Sequence, residues 1–420
     1  MTKLKSIKKV YTLLFAFIII ASSCKSKKTI THSDTDLQSV RADVEILSDD
    51  AMEGRETGTK GERMASAYIV KRMRDIGLSP GGIGDGYIQV FSKTIKANPH
   101  ADKASPDDEI VRGQNVLGLI DNGAKYTGVI GAHYDHLGYG KEGSLYVGEP
   151  AIHNGADDNA SGVAGMLRLA EKLVAAPDSS MNYLFIGFSG EEKGLWGSNY
   201  FVKHPTVSLD EVNYMINMDM IGRLNENRQL AVYGTGTSPT WSRAMKESYD
   251  DFKIKEEKSG VGPTDHTSFY LENLPVLQFF TGQHADYHRP TDDAHLINYA
   301  GIIDITDYIL EIIQFVEPRG KLTFSKTKDE STVTPDFKVT LGVIPDYLFD
   351  GKGMRLDGVK EGRPADNAKL VKGDIILKMG AMEIVDMMSY MQALGKHEKG
   401  QTIDIVIRRD GKKLTKSLTF

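Results

Sequence analysis

The chemistry this chain could perform is concentrated in a few histidines and acids near its middle. His133 and Asp135 lie in the run Gly131-Ala132-His133-Tyr134-Asp135-His136, directly after an apolar, strand-like stretch. Side chains alternate along a strand, so residues two apart share a face, and Asp135 is placed to orient the His133 imidazole. Asp157 and Asp158 stand in Gly155-Ala156-Asp157-Asp158-Asn159-Ala160-Ser161-Gly162, just before an amphipathic segment. Acids there also cap helix amides, so this pair alone reads as a cap or as a ligand. Glu191 and Glu192 follow the apolar run 183–188, Asp219 follows 214–218, and His288 sits in Tyr287-His288-Arg289-Pro290. Imidazoles and carboxylates suit a zinc ion, and a carboxylate beside a ligand can serve as general base. Cys24 is the one cysteine in 420 residues, so an intramolecular disulfide, a thiolate zinc module and a CxxC redox pair are excluded. Any metal must be held by histidine and carboxylate.

The elements that position these residues are short apolar runs alternating with amphipathic ones over 37–319. This is the pattern of an α/β domain with a mostly parallel, mixed central sheet and helices on both faces. Strands are expected at 116–120, 128–132, 183–188, 214–218, 230–233 and 276–280. They are apolar throughout, as strands buried on both faces are. Val163, Met166, Leu167, Ala170, Leu173 and Val174 recur at helical spacing, and a second long helix spans 297–316. The candidate residues all fall where strands end, which is where open α/β sheets bind ligands. Residues 79–113, rich in glycine, proline and aspartate, read partly as loop.

Taken in order, His133, Asp158, Glu191-Glu192, Asp219 and His288 resemble the co-catalytic zinc set of the bacterial di-zinc aminopeptidase family, whose relatives include glutamate carboxypeptidase and glutaminyl cyclase. The resemblance implies a zinc exopeptidase fold, two Zn²⁺ per chain, peptide substrates and removal of N-terminal residues. It implies that Asp158 bridges the metals, with His133 and Asp219 completing one site and Glu192 and His288 the other. Glu191 would be the general base, Asp135 and Asp292 orienting groups, and Asp157 the helix-start acid. His136, His153, His266, His284 and His295 read as supporting or surface histidines, with Asp265-His266 a pocket wall. Alternatives are a glutaminyl-cyclase-like enzyme, a carboxypeptidase or dipeptidase, and a non-catalytic peptide-binding protein tethered to a membrane.

Two further units flank this domain. Lys3, Lys5, Lys8 and Lys9 precede the apolar run 10–21 and Ser22-Ser23, as in a secretory signal peptide over 1–23, too short to span a bilayer. Ala21-Ser22-Ser23-Cys24 resembles a bacterial lipobox, which implies a lipid on Cys24 and an anchored protein in the cell envelope, at the periplasmic or outer-membrane face. Residues 24–36 read as a polar tether. Loss of the leader takes the formal net charge from −6 to −10 and argues against a nucleic-acid partner. After a linker at 320–334, residues 335–420 show Leu341-Gly342-Val343, Gly362-Arg363-Pro364-Ala365, Gly373-Asp374-Ile375-Ile376, a helix at 387–394 and a final strand at 403–408. This β-rich unit resembles a PDZ domain, which implies capture of a protein or peptide C-terminus at the loop Leu341, Gly342 and Val343.

Overall fold

The computed structural model describes residues 32–95, 105–106, 108–176, 180–248, 251–327, 339–346, 349, 351–359, 362–385 and 387–420. The leader, Cys24 and the lipobox lie outside the described residues, as does most of the expected tether. Among the described residues no helix is long and apolar enough to cross a membrane.

The larger domain is built on one sheet of β1 (Ser79–Pro80), β2 (Ile88–Ile95), β3 (Glu109–Ile120), β4 (Thr127–His133), β5 (Asn182–Phe188), β6 (Val212–Met218), β7 (Gln229–Tyr233), β8 (Lys253–Glu257) and β9 (Val276–Phe280). Their order is β1-β3-β5-β4-β6-β9-β7-β8, with β2 paired to β3. The centre β5-β4-β6-β9 is parallel, whereas β3 on β5 and β7 on β9 are antiparallel. Alternation along each central strand feeds two cores. Ile130, Phe185 and Ile216 enter one with residues of α1 (Asp34–Leu47), α2 (Lys60–Ile76), α3 (Gly162–Val174), α5 (Pro239–Glu247) and α7 (Tyr299–Val316). Val129, Leu184, Ile186 and Met215 enter the other with Phe201 of α4 (Trp196–Lys203) and Phe269 of α6 (His266–Leu271). Both faces are thus dry, which is why these strands read as unbroken apolar runs.

Helix boundaries follow from capping. Thr59 accepts from the Glu62 amide at the start of α2, Glu62 reaches back to the Gly58 amide, and Gly77 closes the helix in the left-handed conformation. Buried Glu62 also takes the Ser189 hydroxyl at 2.6 Å, fastening this helix to the end of β5.

The outer elements differ from the sequence expectation. β3 begins at Glu109 and pairs with β2, so among the described residues of 79–113 the partly loop-like stretch also carries strands at 79–80, 88–95 and 109–113. β8, a charged edge strand, gave no apolar signal. Ser33 caps α1, and Asp36 pairs with Arg168 and Lys172 at 2.8 Å, so the last part of the expected tether belongs to the folded domain. The first part of the expected linker is likewise docked: Leu322 is buried in the main core and Phe324 packs on the second.

The C-terminal unit comprises β10 (Val343–Pro345), β11 (Met354–Val359), α8 (Pro364–Asn367), β12 (Ile375–Met379), β13 (Met382–Glu383), α9 (Met387–Leu394), β14 (Thr402–Arg409) and β15 (Lys412–Thr419). The antiparallel order is β10-β11-β12-β14-β15 around Leu341, Leu356, Ile376, Ile405 and Leu418. The strand expected to be last is followed by β15, across a turn in which Asp410 and Gly411 both have positive φ. That Asp-Gly pair is a hairpin signal in the sequence itself.

Candidate metal centre

His133 is the last residue of β4, Glu191-Glu192 follow β5, Asp219 follows β6, and His288 lies in the loop after β9. Four neighbouring parallel strands therefore deliver their ends to one place. Asp158 arrives from the segment between β4 and α3. That segment is folded tightly: the Gly155 φ is +57°, and a Cβ there would stand 2.2 Å from the Asp158 carbonyl oxygen. Only glycine fits this approach.

Two groups of ligand atoms result. His133 Nε2 is 3.3 Å from Asp158 Oδ1 and 3.3 Å from Asp219 Oδ1. His288 Nε2 is 3.2 Å from Asp158 Oδ2 and 3.2 Å from Glu192 Oε2. Tetrahedral zinc with bonds of about 2.0–2.1 Å to nitrogen and oxygen spaces its ligands about 3.3 Å apart; His133, Asp158 and Asp219 together have cation-holding spacing, and His288 stands at that distance from both Asp158 and Glu192. Asp158 gives one oxygen to each. His133 Nδ1 faces the Asp135 carbonyl at 3.2 Å, which can only accept, so Nε2 keeps its lone pair for the centre. His288 Nδ1 is satisfied in the same way by the Gly143 carbonyl at 3.0 Å.

The electrostatics call for positive charge. Burial opposes protonation of His133, but Glu191 and Asp219 outweigh it and hold the ring well above the ordinary histidine range. His288 is raised likewise, against its burial, by Glu192 and Asp158. Burial alone would raise Asp158 and Glu192, yet the facing histidines hold Asp158 well below the usual range and Glu192 at about 2. A set of carboxylates that keeps its imidazoles protonated is one that a divalent cation would relieve. The donor set of imidazole nitrogens and carboxylate oxygens therefore fits zinc.

The remaining residues fall into supporting places. The Asp135 carboxylate is 3.8 Å from His133 Nδ1, farther than the hydrogen bond expected for it, because the Asp135 backbone carbonyl occupies that nitrogen. Its oxygens instead accept from the Glu191 amide and the Thr57 hydroxyl, and burial pushes the carboxyl up to about 7. Asp292 Oδ2 accepts the amides of Asp157 and Asp158 at 3.0 Å. Asp157 does not cap α3, whose first amide is taken by Asn159 Oδ1. Its oxygens take the Gly222 amide, the Ser161 hydroxyl and His284 Nε2, tying down the loop behind Asp219. His266 is a buried wall of the adjoining cavity, and His295 is exposed.

Two contributors escaped sequence reasoning. His136 is buried with Nδ1 2.7 Å from Glu192 Oε1, and with Asp158 and Glu192 it forms a group able to hold a cation. Arg55 is fully buried and donates only to carbonyls: Tyr134 at 2.7 Å, Asn154 at 2.6 Å, Gly155 at 3.0 Å, and Leu47. It joins the segments that carry His133 and Asp158. Burial lowers its guanidinium to about 10, against the pull of Asp158 and Asp135. The centre opens into a cavity of about 390 Å³ walled by Leu195, Met220, Tyr233, Phe280 and Tyr287, with polar Gln278 and His266.

Residues 115–313 match Peptidase family M28, and residues 323–419 match the PDZ domain. A probable leucine aminopeptidase of Arthroderma otae is 29% identical over 172 residues, 39% of this chain and 45% of that protein. Aminopeptidase YwaD of Bacillus subtilis is 26% identical over 234 residues, 51% of this chain and 45% of that protein. The chain thus spans less than half the length of these curated relatives. Among solved structures, a zinc aminopeptidase from Bacillus subtilis has a TM-score of 0.52 at 17% identity, covering 70% of this chain and 96% of that one. Porphyromonas gingivalis glutaminyl cyclase has a TM-score of 0.52 at 17% identity, covering 66% and 97%. At these identities the likeness is one of fold. The chain carries a Peptidase family M28 domain and, behind it, a PDZ domain.

Proposed function

We propose that this protein is a zinc-dependent aminopeptidase holding two Zn²⁺ ions. His133, Asp158 and Asp219 would hold one and Asp158, Glu192 and His288 the other. The observation that carries the reading is the division of Asp158, with Oδ1 3.3 Å from His133 and Oδ2 3.2 Å from His288. When bound, zinc supplies a Lewis acid that acidifies water and polarises the scissile carbonyl. Glu191 is the general base: it takes a proton from the attacking water and delivers it to the leaving amine. Burial, which holds its carboxyl well above the usual range in the absence of metal, suits it to carrying a proton. Asp135 orients the turn that presents it. The acidic surroundings favour a substrate with a free, positively charged amino terminus, and the cavity beside them takes its first side chain.

The test is a panel of free and N-blocked aminoacyl anilides with zinc supplied or chelated. Cleavage of the free-amine set alone, abolished by chelation and restored by zinc, supports the reading; cleavage of blocked substrates only would overturn it. Pyroglutamate formation from N-terminal glutamine peptides would point to cyclase chemistry instead.

Cys24 would carry the lipid that anchors the enzyme in a bacterial cell envelope, so Cys24→Ser should release it without altering turnover. The PDZ loop at Leu341, Gly342 and Val343 would dock a peptide C-terminus, and deleting 334–420 should raise KM for long peptides while sparing small anilides.

A further inference from the structure

The two halves of the centre are held by different kinds of structure. His133 is the last residue of β4, and Asp219 follows β6 with its amide bonded to the Phe279 carbonyl at 3.2 Å, so that half is fixed by the sheet. His288 lies in a loop, with a backbone φ of +53°. What holds it is another loop, residues 137–153, which has no helix or strand. The Gly143 carbonyl takes His288 Nδ1 at 3.0 Å, and the Leu145 amide donates to the His288 carbonyl at 2.9 Å. One short turn therefore fixes both the ring and the backbone of His288. At the root of the same loop, His136 Nδ1 donates to Glu192 Oε1 at 2.7 Å and leaves Oε2 facing His288.

The turn is in turn set by His153, which is buried. Its Nδ1 faces the Ala151 carbonyl at 2.9 Å, so in the neutral ring Nδ1 donates and Nε2 accepts. Nε2 takes the Ser144 hydroxyl at 2.8 Å, and Ser144 Oγ accepts the Tyr146 amide at 3.0 Å. Ser144 lies between the two residues that grip His288. The His153 amide closes the loop on the Gly138 carbonyl at 2.8 Å. A side chain at Gly140 would strike the His153 ring at 2.2 Å, so the loop is shaped around that imidazole.

We propose that loop 137–153 is a positioning clamp for the Asp158–Glu192–His288 half of the centre alone, and that the His153–Ser144 hydrogen bond is its latch. The inference rests on the two-zinc reading above. Neither latch residue is a ligand; both act through His288.

The experiment compares full-length wild type with Ser144→Ala and Ser144→Thr, the second keeping the hydroxyl. Zinc bound per chain is titrated against free zinc, and the His288 imidazole is followed by nitrogen-15 NMR in zinc-free protein. Ser144→Ala should weaken one of the two zincs about tenfold to a hundredfold and leave the other unchanged, with Ser144→Thr close to wild type. In the zinc-free alanine variant the His288 Nδ1–H, less firmly held on the Gly143 carbonyl, should exchange with solvent faster and lose its hydrogen-bonded shift. Equal weakening of both zincs, or an unchanged His288 signal, overturns the clamp. A wild type that binds a single zinc overturns the two-zinc reading instead, and the His288 signal then decides the clamp by itself.

Discussion

The amide of Glu191 donates to Oδ1 of Asp135 at 3.2 Å, and through that bond the acid after β4 sets the turn after β5. The other oxygen of Asp135 takes the Thr57 hydroxyl at 3.0 Å, so the carboxylate is itself fixed. Gly190, at φ +77°, lets the chain reverse there. Glu192 then turns to His136 and His288, while the charge of Glu191 acts on His133 and Asp219. Adjacent glutamates thus take separate duties, one as ligand and one as base.

Glu191→Gln keeps the shape and removes the base. Turnover of a free-amine anilide should fall about 1,000-fold. Zinc content should be unchanged, because Glu191 is outside both ligand groups. Asp135→Asn still accepts from the Glu191 amide and should cost about tenfold. Steady-state kinetics with metal analysis on the same samples checks both, and a Glu191→Gln protein of wild-type activity would remove Glu191 from the mechanism.

Arg55→Met should destabilise the zinc-free protein by at least about 3 kcal/mol, because it strands three buried carbonyls and a half-buried one that have this guanidinium as donor. Arg55→Lys should rescue little, since an ammonium cannot reproduce the planar fork. Urea unfolding midpoints measure both. If Arg55 were only a surface-like charge, the methionine variant would unfold with the wild type.

The parts legible in the sequence are those written in local pattern. Strands β4, β5, β6 and β9 announce themselves because burial on both faces demands apolar residues throughout, and the acids and histidines stand out as polar breaks at their ends. The roles of His136 and Arg55 were not legible. His136 lies in a loop and Arg55 at the end of a short 3-10 helix, with partners 56 and up to 100 residues away, and nothing local marks which segments meet. Strand β8 is charged because it is a sheet edge, where exposed side chains suppress further pairing. Asp157 misled for another reason: an acid before a helix suggests a cap, yet here the cap is Asn159, two positions on.

His266 offers a pH test. Burial pushes its imidazole down to about 3, from the ordinary 6.5. Below 6.5 the unfolded chain takes up a proton that the folded chain refuses until about pH 3. His266 therefore subtracts stability as pH falls across that window and contributes nothing above it. The slope approaches about 1.4 kcal/mol per pH unit for one proton. His266→Gln should flatten the acid limb of the stability curve relative to wild type, and parallel curves from pH 7 to pH 4 would count against a neutral, buried ring.

The peptidase domain runs on past its last long helix. Long helix α7 closes by residue 316, and the chain after it looks like a linker, but residues 320–327 are stitched to the sheet. Asn213 holds both sides of the crossing: its Nδ2 donates to the Gly320 carbonyl at 2.9 Å and its Oδ1 accepts the Leu322 amide at 2.6 Å. The Ser325 amide bonds to the Thr237 carbonyl at 2.8 Å, and the Thr327 hydroxyl to Tyr270 at 2.9 Å. Between these polar ties Leu322 is 6% exposed in the main core and the Phe324 ring packs 5.6 Å from that of Tyr270. Cutting after 319 removes two core side chains and leaves buried Asn213 without both partners. Leu322 alone is worth about 2–5 kcal/mol on the scale of leucine truncations. A peptidase domain ending at 319 should therefore melt well below one ending at 328, even though both retain every proposed ligand. Leu322→Ala in the full chain should reproduce most of the loss. Melting curves with and without zinc measure the difference, and equal midpoints for the two truncations would show that 320–327 is a linker after all.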